Sequence, residues 1–170
     1  MIKNYNWIAI SYTVPPTPSK YRVYVWRKLK EMGAEALNQG LSLLPANEVN
    51  YKKLNTLKDK ILSLSGDAKL IFFEFDDESE SRRMKEIFKN NTKEEYKSLI
   101  TECKKILNGI KTKSKQNTDL NKKIKEVNKS YKKVKEKQFF PEELSKELEN
   151  DICEIKNSVK DIQNDLKNLF

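Results

Sequence analysis

The hydrophobic period of this chain changes once, after Asp76, and is helical from there to the end. In three later segments, 96–110, 120–134 and 148–169, apolar residues recur at alternating steps of three and four. Such spacing places the apolar side chains along one face of each helix, as in helices that pack side by side through heptad seams. We therefore predict a helical hairpin or bundle, a coiled-coil extension, over residues 77–170.

Polar and proline-containing segments mark the ends of these helices. We expect one break near "TKSKQNT", 112–118, and another at "FFPEEL", 139–144, where Pro141 can begin the last helix. The predicted seam residues are Tyr96, Ile100, Cys103, Leu107 and Ile110, then Leu120, Ile124, Val127, Tyr131 and Val134, and finally Leu148, Ile152, Ile155, Val159, Ile162, Leu166 and Leu169.

Residues 1–76 have the patterns of shorter elements and are predicted to form a separate domain. "WIAISYTV", 7–14, is rich in β-branched and aromatic residues, which predicts a buried strand. We expect the next helix to begin with Thr17 as its cap and Pro18 at its first position. It should end at Gly33, because glycine readily adopts the left-handed conformation found at helix ends.

The remaining elements of this domain complete a mixed α+β fold. "EALNQGLSLLP", 35–45, is typical of two short strands around a turn. Helical spacing over 47–65 and an apolar run over 68–75 predict a helix and a last strand. The order β-α-β-β-α-β predicts a ferredoxin-like fold, in which two helices cover one face of a four-stranded antiparallel sheet.

Charge and residue types limit the functions open to the chain. A formal net charge of +9 favours anionic partners, and the absence of histidine excludes a His-based triad or zinc site. Without paired carboxylates, an activated nucleophile or a phosphate-cradling glycine loop, we expect no enzyme, no metal and no cofactor. Cys103 and Cys153 belong to no CxxC motif, and neither a cleavage-site pattern nor a membrane-spanning run is present. We therefore expect a reduced, cytoplasmic chain.

The first helix combines aromatic and basic side chains. On a helical wheel of residues 18–33, Lys20, Arg27 and Lys30 fall on the outer face, where they either bind an anion or are only hydrated. The residues that we expect to pack on the sheet are Tyr21, Val25, Trp26, Leu29 and Met32.

Arg22 has a wheel angle between those of Leu29 and Trp26, on the side expected to pack on the sheet, where an arginine should be paired or lie at the end of the helix beside the sheet. One interpretation is an internal salt bridge with Glu74 or Glu35. The other is an anion pocket formed by Arg22, Lys20 and the unpaired N–H groups at the start of the helix.

Almost all of the excess charge lies in one segment. Residues 111–137 contain 11 lysines against three acidic residues, a net charge of +8 out of the total of +9. Because an apolar seam runs through the same segment, one helix should present a lysine-covered outer face. Such a face is typical of a solvated bundle helix, of a membrane-surface contact, or of low-specificity contact with nucleic-acid phosphates, which is the interpretation that we adopt. The candidate nucleic-acid-binding residues are Lys20, Arg22, Arg27, Lys30, Lys115, Lys122, Lys123, Lys125, Lys129, Lys132 and Lys133.

An acidic cluster lies in "FEFDDESESRR", 73–83. It lacks the glycine and the ligand spacing of a calcium loop. Acidic residues followed by arginines are favoured at the start of a helix, which is how we interpret this segment.

The N-terminal residues resemble a known family. "WIAISYTVPPTPSKYRVYVWRKLKEMGAEALNQGLSLLP" is similar to the opening of ChrB-type chromate-resistance proteins, with a Trp-led strand, a P-x-x-PS turn, an R-V-x-V-W-R helix, a Gly-Ala pair and a strand ending in Leu-Pro. "EYKSL", 95–99, and "KQFFPEEL", 137–144, resemble later landmarks, so the resemblance covers nearly all of the chain. The matching residues are Trp7, Pro15, Pro18, Ser19, Arg22, Val23, Val25, Trp26, Arg27, Leu29, Gly33, Ala34, Leu37, Gly40, Leu44 and Pro45.

The resemblance implies a transcriptional regulator of chromate resistance whose N-terminal domain engages DNA through basic residues. Arg22 and Arg27 are the matching candidates, whereas the lysines of 111–137 are predicted from charge alone. Typical members continue into a second domain, and this chain ends at Phe170. If that domain holds the inducer site, we expect that this chain does not sense chromate alone. It is then either a stand-alone paralogue with another role or a chain that works with a separately encoded partner protein.

A second hypothesis is a protein-interaction or oligomerisation module that binds no nucleic acid. The seam from Ile152 to Leu169 is long enough to pair with another chain, including a second copy. The apolar side of "FFPEEL" could extend that contact.

Overall fold

A computed structural model describes residues 5–111 and 117–140, together with residues 146, 149, 150, 152–154 and 157. The chain divides into two compact units, Met1–Phe88 and Lys89–Phe170. We refer to them as the sheet unit and the helical unit. The predicted domain boundary after residue 76 stays a prediction.

The sheet unit is a mixed α+β structure, as predicted. Its elements are β1 (Trp7–Thr13), α1 (Lys20–Met32), β2 (Glu35–Asn38), β3 (Leu41–Pro45), α2 (Glu48–Ser63) and β4 (Asp67–Phe73). The sheet has four strands in the order β2-β3-β1-β4, and every pair of neighbours is antiparallel. Helices α1 and α2 therefore each connect two strands that have one other strand between them.

The core of this unit is built around the central strand β1. Trp7, Ile8, Ala9 and Ile10 are each at most 2% exposed. Because successive side chains of a strand point to opposite faces, both faces of β1 are covered here. Helix α2 packs on β1 and β4 and buries Leu54, Leu57 and Ile61, and α1 packs beside α2.

The start of α1 differs from the prediction. The helix begins at Lys20, and its N-cap is Ser19, which makes no side-chain capping hydrogen bond. Thr17 as the cap and Pro18 as the first helical residue are therefore wrong. The predicted end is confirmed, because Gly33 ends α1 with a left-handed φ of 76°.

Two asparagines fix the connection between β3 and α2. The side chain of Asn47 caps α2 by accepting a hydrogen bond from the Asn50 N–H at 2.8 Å. The Asn50 side chain is 1% exposed and donates to the carbonyl of Pro45 at 2.8 Å, so its buried amide is paired. The end of the strand and the first turn of the helix are thereby linked.

Two long helices follow, α3 (Glu78–Lys111) and α4 (Asn117–Lys137). The boundary between the two units falls within α3. In the helical unit, one buried cluster takes residues from α3 and α4 and includes Ile152. The predicted seam residues buried in that cluster are Tyr96, Ile100, Cys103, Leu107, Val127, Val134 and Ile152, with Tyr131 partly buried against them.

Polar contacts connect the C-terminal end of α4 to α3. The Tyr96 hydroxyl donates to the Gln138 side-chain oxygen at 2.8 Å, and Lys137 forms an ion pair with Glu95 at 2.9 Å. The helix ends at Lys137, near the predicted break. The other predicted seam side chains and Pro141 lie outside the described part of the chain.

Candidate nucleic-acid interface

Helices α1 and α2 form a groove on the sheet unit that gathers basic and aromatic side chains. Its volume is about 520 Å³. Four of its side chains are cations and one is a carboxylate, which gives a net charge of +3. We call it the α1–α2 groove, and its lining residues are Lys20, Tyr21, Tyr24, Arg27, Lys28, Glu31, Lys60 and Leu64.

The cations of the groove differ in their pairing. Lys28 forms an ion pair with Glu31 at 2.7 Å, and this hydrogen bond raises the pKa of Lys28. Within the described residues, Lys20, Arg27 and Lys60 have no acidic partner. All three are exposed, so their charges are open to an anion from solvent.

Arg22 lies away from this groove. It is exposed, and its guanidinium donates a hydrogen bond to the carbonyl of Pro16 at 3.2 Å. Glu74 instead accepts a hydrogen bond from the Asn6 side chain at 2.7 Å. Across the residues described, Arg22 forms no ion pair with Glu35 or Glu74, so the predicted internal salt bridge is wrong. Of the two side chains in the second interpretation, Lys20 lines the α1–α2 groove and Arg22 does not, and the anion pocket stays a prediction.

Trp26 is a second correction on α1. The wheel predicted that it packs on the sheet, but its side chain is 58% exposed. Val25 and Leu29 form the buried side of the helix instead. Trp26 lies about 100° around the helix from Val25, so it faces solvent beside the exposed Lys30.

The outer side of α4 is covered with lysines. Val127 and Val134 are buried, and the wheel places five exposed lysines on the opposite side of the helix. We call this set the lysine face. Its members are Lys122, Lys125, Lys129, Lys132 and Lys133.

The lysine face has uncompensated charge. It extends over about 16 Å of helix, given a rise of about 1.5 Å per residue. No member forms an ion pair with another described residue. Of the other predicted lysines, Lys123 is half-buried and has an interaction partner. Lys115 lies outside the described residues.

The acidic segment before α3 serves as a helix start. Asp77 accepts hydrogen bonds from the Ser79 N–H, at 2.8 Å, and from the Ser79 hydroxyl, and these bonds lower the pKa of Asp77. Glu78 and Glu80 lie in the first turn of α3, as predicted. Among the residues described, no group of three potential metal ligands is found.

Sequence reasoning missed part of the α1–α2 groove. Lys60 comes from the last turn of α2, where a lysine is already favoured by the helix dipole, so the residue type gave no signal. The wheel places Tyr21 with the core and gives Tyr24 no role, yet both line the groove half-buried. Contact between two helices depends on tertiary packing, which spacing along a single helix does not report.

The molecule thus combines an α+β sheet unit with a helical unit that has a lysine-covered surface. The family model described as "Protein ChrB, N-terminal" matches residues 22–165, and the chain belongs to this family. Comparisons with curated proteins and with solved structures found no match.

Over the residues that the structure describes, no helix is both long enough and apolar enough to cross a bilayer.

Proposed function

We propose that this chain is a DNA-binding domain of a chromate-resistance regulator and that it contacts the phosphate backbone of a duplex through the lysine face of α4. Membership of the ChrB N-terminal family supports the relation to chromate resistance. The observation that carries the proposal of DNA binding is the set of five exposed lysines without acidic partners among the described residues.

The chemistry of lysine suits this role. Each ammonium is a mobile point charge that can replace a counterion on a phosphate, and it reads no base sequence. Exposed lysines on the side opposite a buried seam can meet DNA without any loss of core packing. The chain is proposed to act through binding and not through catalysis, which its lack of histidine also favours.

The basic residues of α1 are proposed as further phosphate contacts made by the sheet unit. Lys20, Arg22, Arg27 and Lys30 are all exposed, and Arg22 keeps donor capacity beyond its bond to Pro16.

The finer fold assignments belong to the same proposal. The strand order and the split connections favour a ferredoxin-like plan, and the buried positions of α3 and α4 favour heptad packing. A cytoplasmic location is part of the same proposal.

The test is binding of a labelled random-sequence duplex at 50 and 200 mM salt. If five phosphates are contacted, the plot of log K against log salt has a slope near −4.5, and affinity falls about 500-fold between these conditions. In the test variant, four lysines of the lysine face become glutamine: K122Q, K125Q, K129Q and K133Q. This variant should reduce the magnitude of the slope by about 3.6.

A matched variant controls for the loss of total charge. Four lysines outside the lysine face become glutamine: K52Q, K58Q, K69Q and K93Q. The control should keep a steep salt dependence. Equal losses in the two variants would show only a general charge attraction. If the duplex fails to bind at low salt, the proposal is wrong and the protein-interaction hypothesis takes its place.

A further inference from the structure

We propose that the α1–α2 groove binds a nucleotide, with the phosphate on its cations and the base or sugar against its tyrosines. The groove lies in the sheet unit, whereas the lysine face lies in the helical unit. The inference therefore does not rest on duplex binding by α4. The ligand chemistry is that of one nucleotide, either free in solution or as a unit of a single strand.

The net positive charge of the groove favours binding of an anion. Arg27 on α1 and Lys60 on α2 come from different helices and line the same depression. Both are exposed, and neither has an acidic partner within the described part of the chain. Glu31, the single carboxylate of the lining, is already paired with Lys28 at 2.7 Å. Uncompensated cations brought together in this way repel each other until an anion binds between them.

The position of Lys20 supports the same interpretation. It is the first residue of α1, where the helix dipole is positive and a cation is unfavourable. The first turn contains no acidic residue that would offset it. A lysine here weakens the helix start, but it adds to the attraction for an anion at the same end of the groove.

The aromatic lining makes a nucleotide a better ligand than a simple inorganic anion. Tyr21 and Tyr24 are half-buried, so parts of their rings remain accessible, and Leu64 adds apolar surface. The ammonium of Lys20 lies 5.6 Å from the centre of the Tyr21 ring. A cation and a π-face are thus adjacent, as required for a ligand that carries phosphate next to an aromatic base.

The size of the groove agrees with this ligand class. Its volume of about 520 Å³ is within the range of roughly 300–1,000 Å³ common for small-molecule sites. A bare phosphate would leave most of this volume empty. A nucleotide has separate charged and aromatic parts that can contact both kinds of lining.

The experiment measures binding of AMP, adenosine and inorganic phosphate to the whole chain by calorimetry at 50 mM salt. AMP should bind at least tenfold more tightly than either adenosine or phosphate. Removal of two groove cations, R27Q with K60Q, should weaken AMP binding at least tenfold. The matched control, K52Q with K69Q, removes the same charge from exposed sites outside the groove and should change AMP binding less than twofold. Y24F should bind AMP like the parent chain, because the ring is kept.

Three results would overturn the inference. These are no AMP binding by the parent chain, phosphate binding as tight as AMP binding, and equal weakening in the groove variant and its control. A competition arm, carried out on the variant that neutralises four lysines of the lysine face, identifies the source of the nucleotide. If AMP displaces a labelled single-stranded oligonucleotide from this variant, the groove binds a strand, and if the oligonucleotide does not bind or is not displaced, the groove binds a free nucleotide. The variant that neutralises four lysines of the lysine face should still bind AMP, so the groove and the duplex proposal fail separately.

Discussion

Two tryptophans of the sheet unit lie in opposite environments. Trp7 is 1% exposed, its indole N–H donates to the Ser81 hydroxyl at 3.1 Å, and its ring stacks on Phe88 at 5.8 Å. Trp26 is 58% exposed, and Val23, one turn before it, is 43% exposed. The same residue type is thus a core anchor at one position and a solvent-facing aromatic surface at the other.

This contrast predicts opposite effects on stability. Trp7→Ala should lower the free energy of unfolding by about 3–5 kcal/mol, because it leaves a cavity and an unpaired serine hydroxyl. Trp26→Ala should change it by no more than about 0.5 kcal/mol, because the side chain contributes little to the core. Urea unfolding followed by circular dichroism measures both values. Similar losses in the two variants would mean that Trp26 is buried in solution.

At the scale of elements, the turn between β2 and β3 depends on one glycine. Gly40 has a φ of 82°, in the left-handed region. A Cβ at this position would lie 2.6 Å from the backbone oxygen of Tyr12. The carbonyl of Gly40 accepts a hydrogen bond from the Tyr12 N–H at 2.7 Å, so the turn is held against β1 as well as β3. Both the conformation and the close approach exclude a side chain here.

Gly40→Ala should therefore destabilise the sheet unit. We expect a loss of roughly 1–3 kcal/mol in the free energy of unfolding, since the backbone must either hold a strained conformation or move away from Tyr12. Gln39→Ala is the matched control, because Gln39 is exposed in the same turn. Chemical denaturation of the two variants gives the comparison. A Gly40→Ala protein as stable as the control would contradict the geometry of this turn.

The elements also show which parts of the fold the sequence could predict. The strands were predictable because apolar runs are bounded by proline and glycine, which end strands for steric reasons. The end of α1 at Gly33 was predictable for the same kind of local reason. The start of α1 was not predictable. Thr17 and Ser19 both have a hydroxyl that can cap a helix, and Pro18 between them is compatible with a helix that begins at either position.

Side-chain orientation at the edge of a helix face was harder to predict. Trp26 and Arg22 both lie near the edge of the buried side of α1. At such positions the residue type alone does not decide whether the side chain is buried or exposed. The groove could not be predicted as a unit either, because Lys60 joins Arg27 only through packing of α2 on α1. The lysine face was predictable, since charge density and the apolar seam both lie in one segment.

At the scale of the whole molecule, the positive charge is concentrated in the helical unit. Residues 111–137 account for +8 of the net charge of +9. Such a concentration favours contact with polyanions but also produces repulsion within the unit. The few acidic residues that pair with these lysines therefore matter for stability, and Glu149 is one of them.

Glu149 accepts hydrogen bonds from two side chains of α4. The Tyr131 hydroxyl donates to it, and the ammonium of Lys135 lies 3.1 Å from the same oxygen. The bond from Tyr131 lowers the pKa of Glu149 below its usual 4.5, with a further contribution from Lys135. The same contact with Glu149 raises the pKa of Lys135.

These shifts fix the sign of the pH dependence. With a lowered pKa in the folded state, Glu149 stabilises the helical unit above pH 4.5, and this stability is lost as the pH falls through the folded pKa. The raised pKa of Lys135 contributes stability below its usual 10.5, which is lost as the pH rises through the folded value. The contact is therefore complete at neutral pH and weakens toward either extreme.

Glu149→Gln should consequently flatten the acid limb of the stability profile. The variant should be less stable than the parent chain at pH 7 and should lose less stability between pH 7 and pH 3, because the carboxylate that would be protonated is absent. Urea midpoints read from helical circular dichroism at the two pH values test this. Glu102→Gln is the control, since Glu102 is an exposed carboxylate of α3 with no ion pair to any residue described. The same acid response in the Glu149 and Glu102 variants would exclude Glu149 as a source of the dependence, and the loss in acid would then follow from the rising net charge of the whole chain.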